Sequence, residues 1–307
     1  MSVQHAQQAD TGAPAVVVVS DGKPGHLNQS LGLAEALQRR CAGLVVRSVP
    51  ALSRAAALRV LLTGNHEPGA ASLLIGAGHG THLTLLALRR ALRCPAIVLM
   101  RPSLPGILFD LRIEPRHDGG SETERCWLSD GPVNRLRPGA GPRTQGLILI
   151  GGPSPHFAWD EPSLLDQLAA ICDGSGHWQL STSRRTPASF VASLRERDLP
   201  GLDVHDAADL PPGWLTRQLP AARCCWVSPD SASMVYEALT AGCAVGTLDL
   251  APRAGSRVAG AVADLAARGL ITRFADRRAG EALPLPRHAL AEADRLAARI
   301  EERGWLS

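Results

Sequence analysis

The sequence predicts an α/β fold of two domains, each a parallel sheet covered by helices, with the sheets facing one another across a cleft. Three observations carry this. Short β-branched or apolar runs alternate with amphipathic stretches from end to end, the pattern of parallel strands joined by helices. The length of 307 residues exceeds one small core and divides naturally into two domains of about 150 residues. Near the middle the alternation is interrupted by DGPVNRLRPGAGPRTQG, residues 130–146, with Gly and Pro at short intervals, and then restarts. The predicted organisation is a flexible tail over 1–14, a first domain over 15–145 and a second over 146–307. In such sheets ligands bind at the carboxyl ends of the strands.

Taken in order, Ala15 to Val19 reads as the first strand, and Gln29 to Arg40 as a helix with Leu31, Leu33, Ala34 and Leu37 on one face. Strands follow at Leu44 to Ser48 and Ser72 to Ile75, the latter running through GAGHGT into a helix over 81–92. Ala96 to Leu99 and residues 107–113 complete the first half. The second half opens with strand Leu147 to Ile150, a helix near 161–172, strand Trp178 to Ser181, a helix over 187–197 and strand Leu202 to His205. It continues through strand Cys225 to Val227, a helix over 231–241, strand Ala244 to Leu248, a helix near 256–268 and a last helix over 287–303.

Composition narrows the function classes. Hydrophobic residues make up 45% of the chain, ample for packed cores, whereas aromatics make up 4%, which leaves little material for stacking on bases or glycans. The net charge of +3 is mild and the basic residues are scattered, which argues against a nucleic-acid partner. Lys23 is the only lysine. Base composition accounts for the arginine excess, but not for why the one lysine sits in a Gly/Pro turn. The seven cysteines (41, 94, 126, 172, 224, 225, 243) lack metal-ligand spacing and lie mostly in apolar runs, so reduced thiols and a cytoplasmic setting are expected. No apolar run approaches the roughly 18 residues of a membrane span, and the start MSVQHAQQADTGA is unlike a signal peptide.

Four strand ends carry unusual chemistry. Ser20-Asp21-Gly22-Lys23-Pro24-Gly25-His26 follows the first strand, ahead of a helix that Asn28 is placed to cap. Its glycines admit close backbone approach, Asp21 and His26 are possible bases, and Lys23 supplies a charge. It is not a Walker loop, because the upstream Gly and the Lys-Ser/Thr pair are missing. Gly76-Ala77-Gly78-His79-Gly80-Thr81 resembles a dinucleotide fingerprint only superficially, since its third Gly comes one residue early and no acid stands about 20 residues on. A Gly-rich loop lining the cleft fits it better. In the second half Gly151-Gly152-Pro153-Ser154 follows the first strand. Ser181-Thr182-Ser183-Arg184-Arg185-Thr186-Pro187 then places hydroxyls and two guanidiniums at a helix start, a good anion site. In Ser228-Pro229-Asp230-Ser231-Ala232-Ser233 small residues leave free N–H groups suited to a diphosphate, and Glu237, on the face of Ser233, suits ribose hydroxyls. An ordinary turn, surface arginines and a capped helix with a solvated Glu are the alternatives at these positions.

SDGKPGHLNQSLGLAEAL, STSRRTP and SPDSASMVYEALTAG resemble the elongated-mitochondria (mitochondrial-fission) family, whose bacterial members are regarded as glycosyltransferases. The similarity runs from residue 15 to about 275, and more distantly the layout looks like MurG-type enzymes of the GT-B fold, two Rossmann-like domains. This resemblance implies that His26 activates an acceptor hydroxyl, with Asp21 as second choice. Gly22, Lys23, Gly25, Gly76, Gly78, His79 and Arg101 would line the acceptor side or the cleft. Gly151, Gly152, Ser154, Ser183, Arg184, Arg185, Ser231, Ala232, Ser233 and Glu237 would hold a nucleotide-sugar donor, with UDP favoured. Pro153 and Pro155 depart from the MurG pattern. The resemblance also implies that the last helix packs back on the first domain and that the sugar carbon inverts.

The implied acceptor is a cell-envelope lipid or polysaccharide. HLTLLALRRALR, residues 82–93, carries Leu and Arg that suit the inner face of an anionic membrane, although its Leu spacing also suits a core. No Asp-x-Asp motif is present, so neither a metal nor another cofactor is expected. Two further functions stay open: a non-catalytic adaptor, as the plant family members imply, and a sugar-nucleotide epimerase on the same architecture.

Overall fold

The computed structural model describes residues 13–66, 70–116, 119–174, 176–278 and 280–306, so most of the tail expected over 1–14 lies outside the described residues. The chain divides into two compact units, one of residues 1–135 with 292–307 and one of residues 136–291. Val133 packs in the first unit's core and Leu136 in the second's. The division therefore comes about ten residues before the boundary read from the sequence, where β7 only begins.

The first unit runs β1 (Ala15–Ser20), α1 (Pro24–Arg40), β2 (Val45–Pro50), α2 (Arg54–Thr63), β3 (Leu73–Ala77), α3 (His82–Leu92), β4 (Ala96–Leu99), β5 (Leu111–Pro115) and β6 (Cys126–Ser129). The second runs β7 (Gln145–Leu149), α4 (Glu161–Ile171), β8 (Trp178–Ser181), α5 (Ala188–Glu196), β9 (Leu202–His205), α6 (Trp214–Ala221), β10 (Ala222–Val227), α7 (Ala232–Ala241), β11 (Ala244–Thr247), α8 (Arg257–Ala267) and β12 (Thr272–Arg273). Helix α9 (Glu292–Glu301) belongs to the first unit again. Among the described residues the strands form two six-stranded parallel sheets, ordered β2-β1-β3-β4-β5-β6 and β12-β11-β10-β7-β8-β9.

Each sheet is covered on both faces, which is why its strands read as continuous apolar runs. In β1, Val16 and Val18 enter one core and Val17 and Val19 the other, as the two-residue period of a strand requires. In β10, Cys225 and Val227 face one core while Trp226 faces the other. Helix α9 joins the first of these cores through Leu296, Ala297 and Ile300, beside Leu33 and Leu37 of α1. Its Asp294 and Glu301 pair with Arg39 and Arg40, both at 2.6 Å.

Four elements escape the sequence pattern. Helix α2 has apolar residues on nearly every face, so no stripe stands out, although Ser53 caps it by accepting from the Ala56 amide. Strands β6 and β12 are too short for a period, and α6 opens after Gly213 and holds Pro220, residues that read as loop. Helix α3 turns Leu85 and Leu88 into the core, and Arg89 grips Asp110 through two hydrogen bonds of 2.6 and 2.7 Å. Leu85 and Leu88 thus serve packing while Leu83 stays exposed, and no helix among the described residues is long and apolar enough to cross a membrane. The seven cysteines are free, and burial pushes Cys94 and Cys172 up to about 11 and Cys243 up to about 12.

Candidate functional site

In the first unit the chemistry gathers at the carboxyl ends of β1 and β3. Pro24, with φ preset and no N–H to lose, starts α1, so Gly25 and His26 lie in its first turn. Lys23 is the cap residue and Asn28 lies inside the helix, a correction to the cap read from the sequence. Gly22 turns the chain at φ 81°. The Asp21 carboxylate accepts from the Lys23 amide at 3.2 Å through Oδ1, and Oδ2 stands 2.8 Å from His26 Nδ1. Burial works to raise the Asp21 pKa, but the His26 hydrogen bond, the Lys23 amide and the His26 and Lys23 charges outweigh it, holding the carboxyl below its ordinary 3.8. An ionised Asp21 favours the His26 tautomer with its proton on Nδ1, which leaves Nε2 as the acceptor nitrogen.

The loop after β3 is built against this pair. A Cβ on Gly78 would collide with the His26 ring, and one on Gly80 would come within 2.8 Å of the Asp21 Cβ. Gly76 and Ala77 are still in β3, which runs two residues past the strand end read from the sequence, while His79 to Thr81 form a short helical turn. His79 is exposed, its ring 5.7 Å from that of the buried His82. Arg101 is exposed at the end of β4, the neighbour of β3, and follows Met100 at φ 68°.

In the second unit three strand ends are tied together. The Gly151 amide donates to Ser228 Oγ at 2.7 Å and the Gly152 amide to Asp230 Oδ2 at 3.0 Å. Ser183 Oγ donates to the Gly151 carbonyl at 2.7 Å, and the Ser183 amide donates to Thr186 Oγ1 at 2.8 Å. Arg185 donates to the Gly152 and Pro153 carbonyls at 2.9 and 3.1 Å and to Asp230 Oδ2 at 2.9 Å. Side chains on Gly151 or Gly152 would collide with the Asp230 carboxylate or the Arg185 backbone. Ser154 instead closes its own turn, accepting from the His156 amide at 3.2 Å.

Beside this frame opens a cavity of about 530 Å³, lined by residues of the second unit alone. Its lining includes apolar Ala207, Leu210, Pro211, Trp214 and Met234 together with Ser183, Arg184, Ser231 and Ser233. Ser231 precedes α7 without a side-chain cap, and the first backbone bond back to it comes from the Val235 amide, so the N–H groups of residues 232–234 stay free of the helix ladder. Arg184 and Arg185 are both exposed, but Arg184 forms no ion pair among the described residues, whereas Arg185 pairs with Asp230. Arg185 reaches the cavity wall but spends its guanidinium on the frame.

The expected residues therefore assemble in two groups. Asp21, Gly22, Lys23, His26, Gly78 and Gly80 form one, and Ser183, Arg184, Arg185, Ser231 and Ser233 with Gly151 and Gly152 form the other. Ala232 opens α7, whereas half-buried Glu237 lies further along it and is absent from the cavity wall. Sequence reasoning missed Asp230, Ser228, Thr186 and Trp214. Asp230 stands in the quoted run before α7 without a role, and only its neighbours in space reveal the reach back to Gly152. Trp214, a large aromatic in a Pro/Gly loop of an aromatic-poor chain, was the one legible signal. Among the described residues no three His, Cys, Asp or Glu side chains converge as a metal group.

The family model described as Mitochondrial fission ELM1 matches residues 24–304, beginning inside the first motif. No curated protein sequence is significantly similar to the chain. Among solved structures, a Listeria monocytogenes protein described as a UDP-N-acetylglucosamine 2-epimerase superposes with a TM-score of 0.58 at 11% identity, covering 95% of this chain and 97% of that one. The glycotransferase of kitacinnamycin gives 0.54 at 16% identity, covering 96% and 100%. Acinetobacter baumannii MurG gives 0.47 at 14% identity, covering 95% and 92%. The architecture is GT-B, the fold of glycosyltransferases.

Proposed function

The chain belongs to the mitochondrial fission ELM1 family, and we propose that it is a glycosyltransferase that takes a sugar from a nucleoside diphosphate, UDP favoured, and delivers it to a hydroxyl of a cell-envelope lipid or polysaccharide. The observation that carries this reading is the mixed lining of the second unit's cavity. Its apolar residues with Trp214 suit a planar base, and its hydroxyls, Arg184 and the start of α7 suit a diphosphate. Glu237 is the proposed ribose contact. The names of the kitacinnamycin glycotransferase and the UDP-N-acetylglucosamine epimerase agree with sugar and UDP-sugar chemistry on this fold.

In the proposed reaction His26 Nε2 takes the proton of the acceptor hydroxyl as its oxygen bonds the anomeric carbon. The bond from that carbon to the diphosphate breaks, with inversion. Asp21, both oxygens already engaged, acts by holding the ring and stabilising the imidazolium rather than as a base. Negative charge growing on the leaving diphosphate is met by Arg184 and the α7 amides, fixed groups that supply what a divalent cation supplies elsewhere. Turnover that survives EDTA is the corresponding expectation.

The test is titration with UDP, GDP, ADP, CDP and dTDP, followed by incubation of the labelled sugar donor with a lipid extract. Label in the lipid or polysaccharide fraction, lost in His26→Ala while nucleotide affinity stays, supports the proposal. Conversion of the free donor into a second sugar nucleotide would favour the epimerase reading, and failure of every nucleotide to bind would leave the adaptor.

A further inference from the structure

The two adjacent arginines after β8 do different work. Both are exposed and line the cavity, but Arg184 has no ion pair among the described residues, whereas Arg185 is committed to the Gly152 and Pro153 carbonyls and to Asp230. The Asp230 side chain is 1% exposed, immediately before the start of α7. Its Oδ2 accepts from Gly152 and Arg185, and its Oδ1 is buried with no partner. A buried carboxylate in that place opposes any anion brought to the same helix end, because its negative charge acts through a poorly screening interior.

We propose that Arg185 is a positioning residue and not a phosphate ligand: it cancels the Asp230 charge beside the frame, built by the strand ends of β7, β8 and β10, on which Arg184 and the α7 amides meet the diphosphate. Each part of the frame has a reason. Asp230 holds the Gly152 amide, Ser228 the Gly151 amide, and Ser183 and Thr186 the carbonyl of Gly151. Gly151 and Gly152 carry no side chain because the carboxylate and the Arg185 backbone occupy that space. This inference rests on the nucleotide reading above, which the wild-type titration tests separately.

The experiment is calorimetric titration of UDP and inorganic pyrophosphate into wild type, Arg185→Gln, Asp230→Asn and the double variant, with melting temperatures for all four. Removing Arg185 alone leaves the carboxylate uncompensated and should weaken binding by about tenfold or more. Removing both charges, with Asp230 replaced by a side chain of its own shape and Arg185 by a shorter uncharged one, should restore affinity to within about threefold of wild type. The double variant compared directly with wild type decides the matter even if Arg185→Gln does not fold. A double variant as weak as the single, or about tenfold below wild type, makes Arg185 a direct ligand and overturns the proposal, as does a single variant that binds like wild type. A wild type that binds neither probe removes the nucleotide reading and this inference together.

Discussion

Replacing Gly78 with alanine tests whether the loop after β3 clamps the Asp21–His26 pair. Gly78 has φ 83°, and an added Cβ would strike the His26 ring and come within 3.0 Å of Asp21 Oδ2. With ψ 159° as well, Gly78 occupies a backbone region essentially reserved for glycine, which costs an L-residue about 1–3 kcal/mol. Driving the ring off its carboxylate forfeits a charge-assisted hydrogen bond of about 1.5–3 kcal/mol. The sum, about 2.5–6 kcal/mol, corresponds to a melting point lowered by about 5–24 °C in a unit of this size. Gly43 is the comparison: it has φ 78° with nothing within 4 Å of its added Cβ, so Gly43→Ala carries a positive-φ backbone cost without a clash. Its expected loss is about 2–8 °C. Scanning calorimetry ranks the two variants, the unfolded-state effect of glycine to alanine being common to both, and the clamp is read from turnover beside it. UDP affinity, which depends on a cavity lined only by the second unit, should stay unchanged in Gly78→Ala while turnover falls. Equal melting points for the two variants would refute the clamp.

Three further expectations follow from the same geometry. Arg184→Gln should weaken UDP by about 10- to 150-fold, the loss of one charged hydrogen-bond donor, and flatten the salt dependence of binding; unchanged titrations at low and high salt would remove Arg184 from the site. Trp214→Ala should weaken UDP but leave inorganic pyrophosphate unaffected, and equal losses for both probes would contradict a base-side role. Burial, and then the neighbouring His79, lower the pKa of His82 below its ordinary 6.5, so the unfolded chain takes up this proton first on acidification. Stability should therefore fall as the pH drops below about 6.5 and level off once the folded-state pKa is passed, with a shallower fall in His82→Gln; parallel melting profiles for the two proteins from pH 7.5 to 5.5 would deny His82 that part.

Periodicity and glycine placement made the layered architecture legible from the amino acids, because a strand buried on both faces must be apolar at every position and a helix over it must carry a stripe. The run at Val16 to Val19 and the helix with Leu33 and Leu37 needed no neighbours to be read. The residue types at the strand ends were legible for a similar reason: close backbone approach selects glycine, and an uncapped helix start selects small residues. What the linear chain could not state is which side chains spend their charge on one another. Arg184 and Arg185 are indistinguishable as neighbours in sequence, and they part company only because Asp230, 45 positions away, lies within reach of one of them. Likewise the partner that holds His26 is five residues distant along a turn whose shape Pro24 and Gly22 set, while the glycine that accommodates both comes from another strand. Local backbone preference is encoded residue by residue, whereas electrostatic pairing depends on distances of a few ångströms that only the folded sheets create.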